Sequence, residues 1–382
     1  MKKLQINIYD NELVWKGMLD SVNYLKHSKS WHEIVNSEMK VSRQAANVEE
    51  VQAGRILVVN NDTSYPLIVE DMQVSLDNQY WNVTLIPLKG MLNYRICHPN
   101  DSGGVGNNPW VDRYQSEVMM WMVSDNLITQ TRDDDRKFWN NARTVNLLAI
   151  ASVKQYGDII GFTNDWNTGY MGEAVTAIAK MNSTAGSYPI GWNIYINNTW
   201  SQYVMDTYKA TDRSVLQSVN PPVIFSDDFG NIKNATYTYS IKDWRNVVYM
   251  TWNNGTADTN TPVGNAFYGA TVSFNRKELI QSSSKKTTNE VVAEGYSELN
   301  KRPHNESFIA EIIDNENTMS TFNIDWFLGD IVTIQSKDLN VSVNAQVVQT
   351  DETFENGEYT LDATFGEPKL NFLQLIKNAI RF

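Results

Sequence analysis

The stretch Asp325-Trp326-Phe327-Leu328-Gly329-Asp330-Ile331-Val332-Thr333-Ile334 places Leu-Gly-Asp directly before a β-branched run. Because Val, Ile and Thr favour extended structure, residues 330–334 are predicted to form a strand. The segment 341–347 then alternates apolar and polar residues, which is the period of a half-buried strand. Asn356-Gly357 is the strongest two-residue hairpin signal in the chain. The C-terminal part is therefore predicted to contain antiparallel β structure.

The first hundred residues carry similar signals. Residues 4–8 alternate apolar and polar side chains, and β-branched or aromatic runs follow at 55–60, 67–76 and 80–86. Strands joined by short turns predict an antiparallel sheet or barrel. At the other end of the chain, apolar residues at helical spacing between 370 and 380 predict a terminal amphipathic helix.

The middle of the chain is predicted to be α+β. Residues 99–109 are rich in Gly and Asn, which indicates a loop. Apolar residues at helical spacing predict helices at 110–126 and 170–182, and residues 192–196 read as a strand.

From Pro221 onward the sequence again indicates strands. Residues 223–225 predict a short strand, while 235–241 and 246–252 predict a strand pair. The polar segment 281–286 is the best candidate for a linker. Thr287, with an acidic residue three positions later, is a capping-box signal for a helix that runs to about 299.

Together these segments predict a β-rich α+β protein, built from several small β-barrel or sandwich domains with an inserted α+β domain. The predicted division is 1–105 for an N-terminal β domain, 106–215 for an α+β middle domain, 216–280 for a β segment that returns to pack on the N-terminal domain, and 285–382 for a C-terminal domain with a β-barrel and a terminal helix.

Composition excludes several classes of protein. The chain has 382 residues, 32 Lys and Arg against 44 Asp and Glu, a net charge of −12, and 12 Trp, 18 Tyr and 13 Phe. An acidic chain is a poor candidate for wrapping nucleic acid, and the single Cys97 excludes an internal disulfide or a cysteine zinc cluster. No signal peptide or membrane stretch of ~18 residues is seen, so the chain is expected to be made and kept, or assembled, in a cytoplasm. The aromatic content suits β-rich domains and large interfaces.

One local motif points to nucleophilic catalysis. Asn100-Asp101-Ser102-Gly103-Gly104 resembles the nucleophile loop of chymotrypsin-like proteases. A triad also needs a positioned histidine and a buried carboxylate, and too little chain precedes Ser102 for the two barrels of those proteases. We interpret the stretch as a loop between subdomains.

Metal and cofactor signals are equally weak. His27, His32, His98 and His304 are scattered, Asp133-Asp134-Asp135 is flanked by basic residues, and Asp314-Asn315-Glu316-Asn317 lacks the glycine and distal glutamate of an EF-hand. There is no phosphate-binding glycine motif. Carboxylate pairs for glycoside hydrolysis, and aromatic residues that stack on sugars, stay open as alternatives. We therefore predict no catalytic, cofactor-binding or metal-binding residues, and we expect Met119, Met120 and Met122 to serve helix packing.

The order of segments resembles the siphovirus baseplate hub, or tail-associated, proteins, which are related to the hubs of contractile phage tails. The 325–334 stretch matches best. The other matching blocks are Leu88-Lys89-Gly90-Met91-Leu92 with Arg95-Ile96, Gly191-Trp192, Val223-Ile224-Phe225-Ser226 with Gly230-Asn231-Ile232, and Ala363-Thr364-Phe365-Gly366. Two departures are that Tyr268-Gly269-Ala270-Thr271 lacks an Arg-Glu pair, and that the chain stops at Phe382 without a long extension, as expected of a minimal hub.

The resemblance implies tail-tube-like domains and a non-enzymatic homotrimer in the virion tail tip, assembled in the bacterial host cytoplasm. It implies that the trimer closes the distal end of the tail tube and serves host attachment and genome ejection. The implied partners are the distal tail protein, the tape measure protein and other baseplate or receptor-binding proteins, with no membrane span. DNA would pass through the channel without specific binding, which the acidic balance suits. A tail-tip cell-wall hydrolase or peptidase, and a carbohydrate-binding receptor protein, are the alternatives.

Overall fold

The computed structural model describes the chain except residues 1–3, 20, 75–78, 98–108, 129–142, 164–168, 182–187, 254, 256–257, 265–272, 286, 301, 303–304, 314–319, 337–340 and 367–382. Its helices are α1 (Gln115–Leu127), α2 (Met171–Ala179) and α3 (Thr288–Asn300). Its strands are β1 (Ile6–Tyr9), β2 (Trp15–Leu19), β3 (Val22–Ser30), β4 (Ser37–Ser42), β5 (Ile56–Val59), β6 (Leu67–Val74), β7 (Tyr80–Pro87), β8 (Pro109–Tyr114), β9 (Leu148–Ile150), β10 (Ile159–Thr163), β11 (Gly191–Ile196), β12 (Tyr203–Tyr208), β13 (Ile224–Ser226), β14 (Ile232–Ser240), β15 (Val247–Asn253), β16 (Asp258–Gly264), β17 (Glu278–Ser282), β18 (Asn305–Ile312), β19 (Ile331–Ser336), β20 (Val341–Glu355) and β21 (Glu358–Gly366).

The chain forms two compact units that do not follow its order. The first contains residues 1–235 and 310–365, and the second contains 236–309 and 366–382. The predicted β-rich α+β character is confirmed. The finer division into four segments stays a prediction.

The largest sheet has thirteen strands and joins the two ends of the chain. Its main order is β14-β18-β21-β20-β3-β4-β7-β6-β5-β1-β2, and β19 pairs with β20 and with β13. The barrels expected from the sequence are wrong for the described strands, because this sheet ends at β14 and at β2 instead of closing. The physical reason is that β20 occupies the edge of β3, so the N-terminal strands pair with the C-terminal part of the chain.

The middle of the first unit contains α1, α2 and the three-stranded sheet β11-β12-β9. Its core includes Met119 and Met122 of α1, Met171 of α2 and Ile194 of β11. This confirms the packing role expected of the α1 methionines.

The helix predicted at 110–126 is partly wrong. Residues 109–114 form β8, which pairs with β10 through Tyr114 and Ile159. The Tyr114 backbone N–H donates to a carboxylate oxygen of Glu117 at 2.9 Å, so the helix begins at Gln115. Pairing with another strand overrides the helical spacing of the apolar side chains here.

The strand pair predicted from 235–241 and 246–252 is also wrong. The strands exist as β14 and β15, but β15 pairs with β16 and β17 in a separate sheet of the second unit. Val248 and Met250 of β15 lie in a core with Val291 and Leu299 of α3, which decides this arrangement. The helix predicted to begin near Thr287 is confirmed.

The C-terminal hairpin is confirmed. β20 and β21 pair from Val347 with Phe365 to Glu355 with Glu358. Asn356 and Gly357 have φ values of 50° and 84°, the positive values that a type I′ turn requires at both central positions. No helix among the described residues is long and apolar enough to cross a membrane.

Candidate functional site

A buried charged cluster lies where β3 and β20 pair in the first unit. His27 and Lys29 point inward from β3, and Glu352 is the register partner of His27. The Lys29 ammonium lies 2.8 Å from Glu352 Oε1 and 3.0 Å from Asp62 Oδ2. The hydroxyl of Tyr359 donates to Glu352 Oε2 at 3.1 Å. The cluster therefore joins β3, β20, β21 and the loop after β5.

The charges in this cluster stabilise one another. Burial alone would raise the pKa of Glu352 and Asp62, but attraction to Lys29 and its hydrogen bonds outweigh this effect and lower both pKa values. Burial would lower the pKa of Lys29, yet the two carboxylates raise it. For His27, burial and the charge of Lys29 lower the pKa to about 4, so the ring is neutral at pH 7.

The buried position of this charged cluster indicates that it stabilises the fold and does not act in catalysis. His27 is 2% exposed, and its Nε2 has no hydrogen-bond partner among the described residues. A substrate in solution could not reach the ring. No group of three His, Cys, Asp or Glu in the described part of the chain could hold a metal ion.

Trp31 forms a second junction, next to the Leu-Gly-Asp turn. Its backbone N–H donates to Val348 O at 2.9 Å, and its backbone carbonyl accepts from Trp192 N at 3.0 Å. Its indole N–H donates to the Pro189 carbonyl at 2.9 Å. Gly191 and Gly329 lie against its ring so closely that a Cβ would be 2.5 Å and 2.3 Å from ring atoms. The indole thus packs against two glycines from distant parts of the sequence.

The matching stretch 325–334 builds this junction. Asp330 accepts the Phe327 backbone N–H and the Arg213 Nε–H, both at 2.9 Å, which closes the turn. Trp326 packs edge-on against Phe225 at 5.1 Å. Gly329 is needed because its φ is +95° and the ring of Trp31 occupies the space of a side chain. We assign the motif to turn formation and packing.

The block at 88–92 contributes a buried amine. Lys89 Nζ donates to Ser30 O at 2.7 Å and to Trp192 O at 3.2 Å, and it lies 4.9 Å from the Trp192 ring. Burial lowers its pKa to about 7. These contacts connect the end of β3 to β11.

The outward side of β20 and β21 is acidic. Asp351 and Asp362 are directly opposite, as are Glu355 and Glu358. Lys26 lies 3.2 Å from Asp351. Burial, together with neighbouring carboxylates, raises the pKa of Asp362. Opposed like charges weaken a strand pair, so this face is a candidate for a role other than stability.

The candidates weighed from the sequence divide into residues outside the described part of the chain and buried residues within it. Ser102, His98, His304, the run 133–135 and the run 314–317 lie outside the described residues. His27 and His32 are both buried, and His32 Nε2 lies 4.0 Å from a Glu33 carboxylate oxygen. Cys97 is buried, with its Sγ 3.4 Å from the sulfur of Met122.

Sequence reasoning missed the charged cluster. Its signal was a lysine and a histidine at alternate positions of β3, on the same side as Leu25. The partner Glu352 could not be identified, because no local pattern links it to β3.

Comparisons with known proteins agree with this fold. The family model described as siphovirus ReqiPepy6 Gp37-like protein matches residues 5–367. No curated protein sequence matches. Among solved structures, the 43 kDa tail protein of prophage MuSo2 from Shewanella oneidensis is similar with a TM-score of 0.55 and 12% identity over 95% of this chain and 98% of that one.

Two further solved structures share the fold. The tail protein from Neisseria meningitidis MC58 has a TM-score of 0.53 and 9% identity over 96% of this chain and 97% of its own. Prophage tail protein gp18 from Listeria monocytogenes EGD-e has a TM-score of 0.50 and 9% identity over 99% of this chain and 98% of its own. At these identities the likeness shows the fold alone.

Proposed function

Because this chain belongs to the family of siphovirus ReqiPepy6 Gp37-like proteins, we propose that it is the structural hub of a bacteriophage tail tip. In this role it forms a homotrimer that closes the distal end of the tail tube. It contacts the distal tail protein, the tape measure protein and other baseplate or receptor-binding proteins, and it opens for genome ejection. The observation that carries the proposal is the match of the family model to nearly the whole chain.

The arrangement of the first unit supports a mechanical role. Strands from both ends of the chain share one sheet, and the Lys29 cluster joins them. Lys29 pairs with Glu352 and Asp62, and Tyr359 donates to Glu352, so these groups hold the strands together. A single sheet that combines N-terminal and C-terminal strands suits a structural role.

Imaging the virion tests the hub role. In particles that carry a tagged copy of this chain, cryo-EM should show three copies around the axis at the distal end of the tail tube. Copies distributed along the tube, or one copy off the axis, would contradict the proposal.

The acidic outward face of β20 and β21 supports a non-adhesive path for DNA. Phosphate binding requires excess Lys and Arg, and like charge keeps the duplex from adhering. We expect no retardation of duplex DNA by the purified protein at ~0.15 M salt. A net positive channel lining in the assembled tail tip, or tight salt-sensitive DNA binding, would contradict this part of the proposal.

The hydrolase alternative has a direct test. We expect the purified chain to leave muropeptides and casein uncleaved. Turnover that Ser102→Ala abolishes would overturn the non-enzymatic role.

One observation favours saccharide binding as a second candidate function. The Trp15 side chain on edge strand β2 is 57% exposed, and its register partner across the strand pair is Tyr9. Exposed indoles can stack on sugar rings. A glycan array should then show binding that Trp15→Ala abolishes; no binding by the native chain would remove this candidate.

A further inference from the structure

A closed surface loop runs from Arg213 to Val223 in the first unit. The Val223 N–H donates to Arg213 O at 2.9 Å, which closes its base. The base is tied to β19, since Arg213 N donates to Ile331 O at 2.8 Å and its guanidinium pairs with Asp330. Loops of this type have adjacent ends and are often functional.

The loop is built around the amide of Gln217. Its Nε2 donates to the carbonyls of Ser214 and Asn220, both at 2.9 Å. Its Oε1 accepts the N–H groups of Val219 and Asn220, both at 2.7 Å. Asn220 Nδ2 adds a bond to Asp212 O at 2.8 Å. These bonds pre-organise the loop, which lowers the entropy cost of binding.

The same loop holds apolar side chains in water. Leu216 is 83% exposed and Val219 is 87% exposed. Residues 214–226 contain no charged side chain. Burying side chains of this size contributes roughly 1.5–3 kcal/mol each. A rigid, uncharged loop with apolar tips has the character of a contact surface.

We propose that the 213–223 loop is a contact between copies of this chain, and this rests on the proposed homotrimer. Each copy carries a net charge of −12, so two copies repel one another on average. Contact through residues 214–223, which carry no charge, avoids adding to that repulsion, whereas a basic partner would be attracted to acidic surface instead. Closed rings use heterologous contacts, so the loop meets a different surface of the neighbouring copy.

Self-association of the full chain provides the first test. By sedimentation velocity and native mass spectrometry, Leu216→Asp with Val219→Asp should weaken trimer formation at least about tenfold. Phe274→Asp is the matched control, since its side chain is 96% exposed in the second unit and its substitution should leave the trimer intact. Because all these side chains are exposed, the unfolding midpoints should match the native chain.

The variant Gln217→Ala distinguishes the effect of the ordered loop conformation from the effect of its apolar side chains. It keeps Leu216 and Val219 but removes the amide that holds them. We expect an intermediate loss of association. Because residues 214–223 carry no charge and salt screens the net repulsion between copies, added salt should not weaken the native contact. A double variant that assembles like the native chain would overturn the loop contact and leave the trimer standing.

Cross-linking in assembled particles identifies the occupant. A photo-crosslinking amino acid in place of Leu216 should give products at multiples of 43.6 kDa. A product with a different virion protein would overturn the second-copy contact and leave the hub role intact. A chain that is single in solution and in the particle would overturn the trimer and this contact together.

Discussion

At the scale of single residues, the absence of a side chain at Gly329 matters as much as any contact. A methyl group there would meet the Trp31 ring at 2.3 Å, and the φ of +95° is unfavourable for any residue with a Cβ. We expect Gly329→Ala to lower the free energy of unfolding by about 2–5 kcal/mol, through overpacking and backbone strain together. Urea unfolding measures this change.

Gly54 provides the control for that prediction. Its φ of +83° is similar, but among the described residues nothing lies within 4 Å of a Cβ placed there. Gly54→Ala should therefore cost only about 1 kcal/mol of backbone strain. Equal losses at the two positions would show that contact with Trp31 is not the reason for Gly329.

Also at the residue scale, His27 makes the stability of the protein depend on pH. Its folded pKa of about 4 lies below the ordinary value of 6.5, so the unfolded chain binds the proton first as pH falls. The free energy of unfolding should fall by about 3 kcal/mol between pH 6.5 and 4 because of His27. The contribution of His27 should not change further below pH 4.

Urea unfolding across this window checks the pH prediction. His27→Gln carries no titrating group and should remove most of the slope between pH 6.5 and 4. Asp62 and Glu352 have lowered pKa values, so their contribution to stability is lost only as pH falls below their ordinary values of 3.8 and 4.5. An unchanged slope in the variant would assign the pH dependence to other groups.

At the scale of an element, the β20–β21 hairpin depends on its two turn residues. Gly357 at φ 84° has no Cβ penalty, and Asn356 tolerates φ 50° better than most residues. Gly357→Val should lower the free energy of unfolding by about 1–2 kcal/mol, because a β-branched residue disfavours positive φ. Asn356→Gly should change it by less than about 1 kcal/mol. Similar losses from both substitutions would contradict a type I′ turn.

At the scale of the whole molecule, β20 and β21 complete a sheet that begins at the N-terminus. A chain that ends at residue 340 loses both strands, exposes the edge of β3 and leaves Lys29 without Glu352. We expect this chain to lose cooperative unfolding and to aggregate through the exposed edge. A chain that ends at 366 keeps every described strand and should protect the β3 amides from hydrogen exchange. Native-like protection in the shorter chain would show that the N-terminal strands fold without β20.

The candidate site could be predicted only in part. Gly329 and Asp330 were predicted only to lie at the entry to a strand, and the structure shows that they form a turn closed by Asp330. Lys29 and Glu352 were not recognised, because a charged residue becomes a buried partner only when a distant strand pairs beside it. The lowered pKa of Lys89 likewise follows from burial under β11, which no local pattern indicates.

The sequence by itself determined the β-rich character, the hairpin at Asn356-Gly357, and helices α2 and α3. These features depend on alternation, turn chemistry and capping within a few residues, which the chain carries locally. Only the tertiary structure decided that β3 pairs with β20, that 109–114 is a strand, and that β15 belongs to a different sheet from β14. The hydrogen-bonding groups on a strand edge are the same in every strand, so the choice of partner depends on side-chain packing and on the closing of long loops. The local spacing of apolar residues contains no information on either.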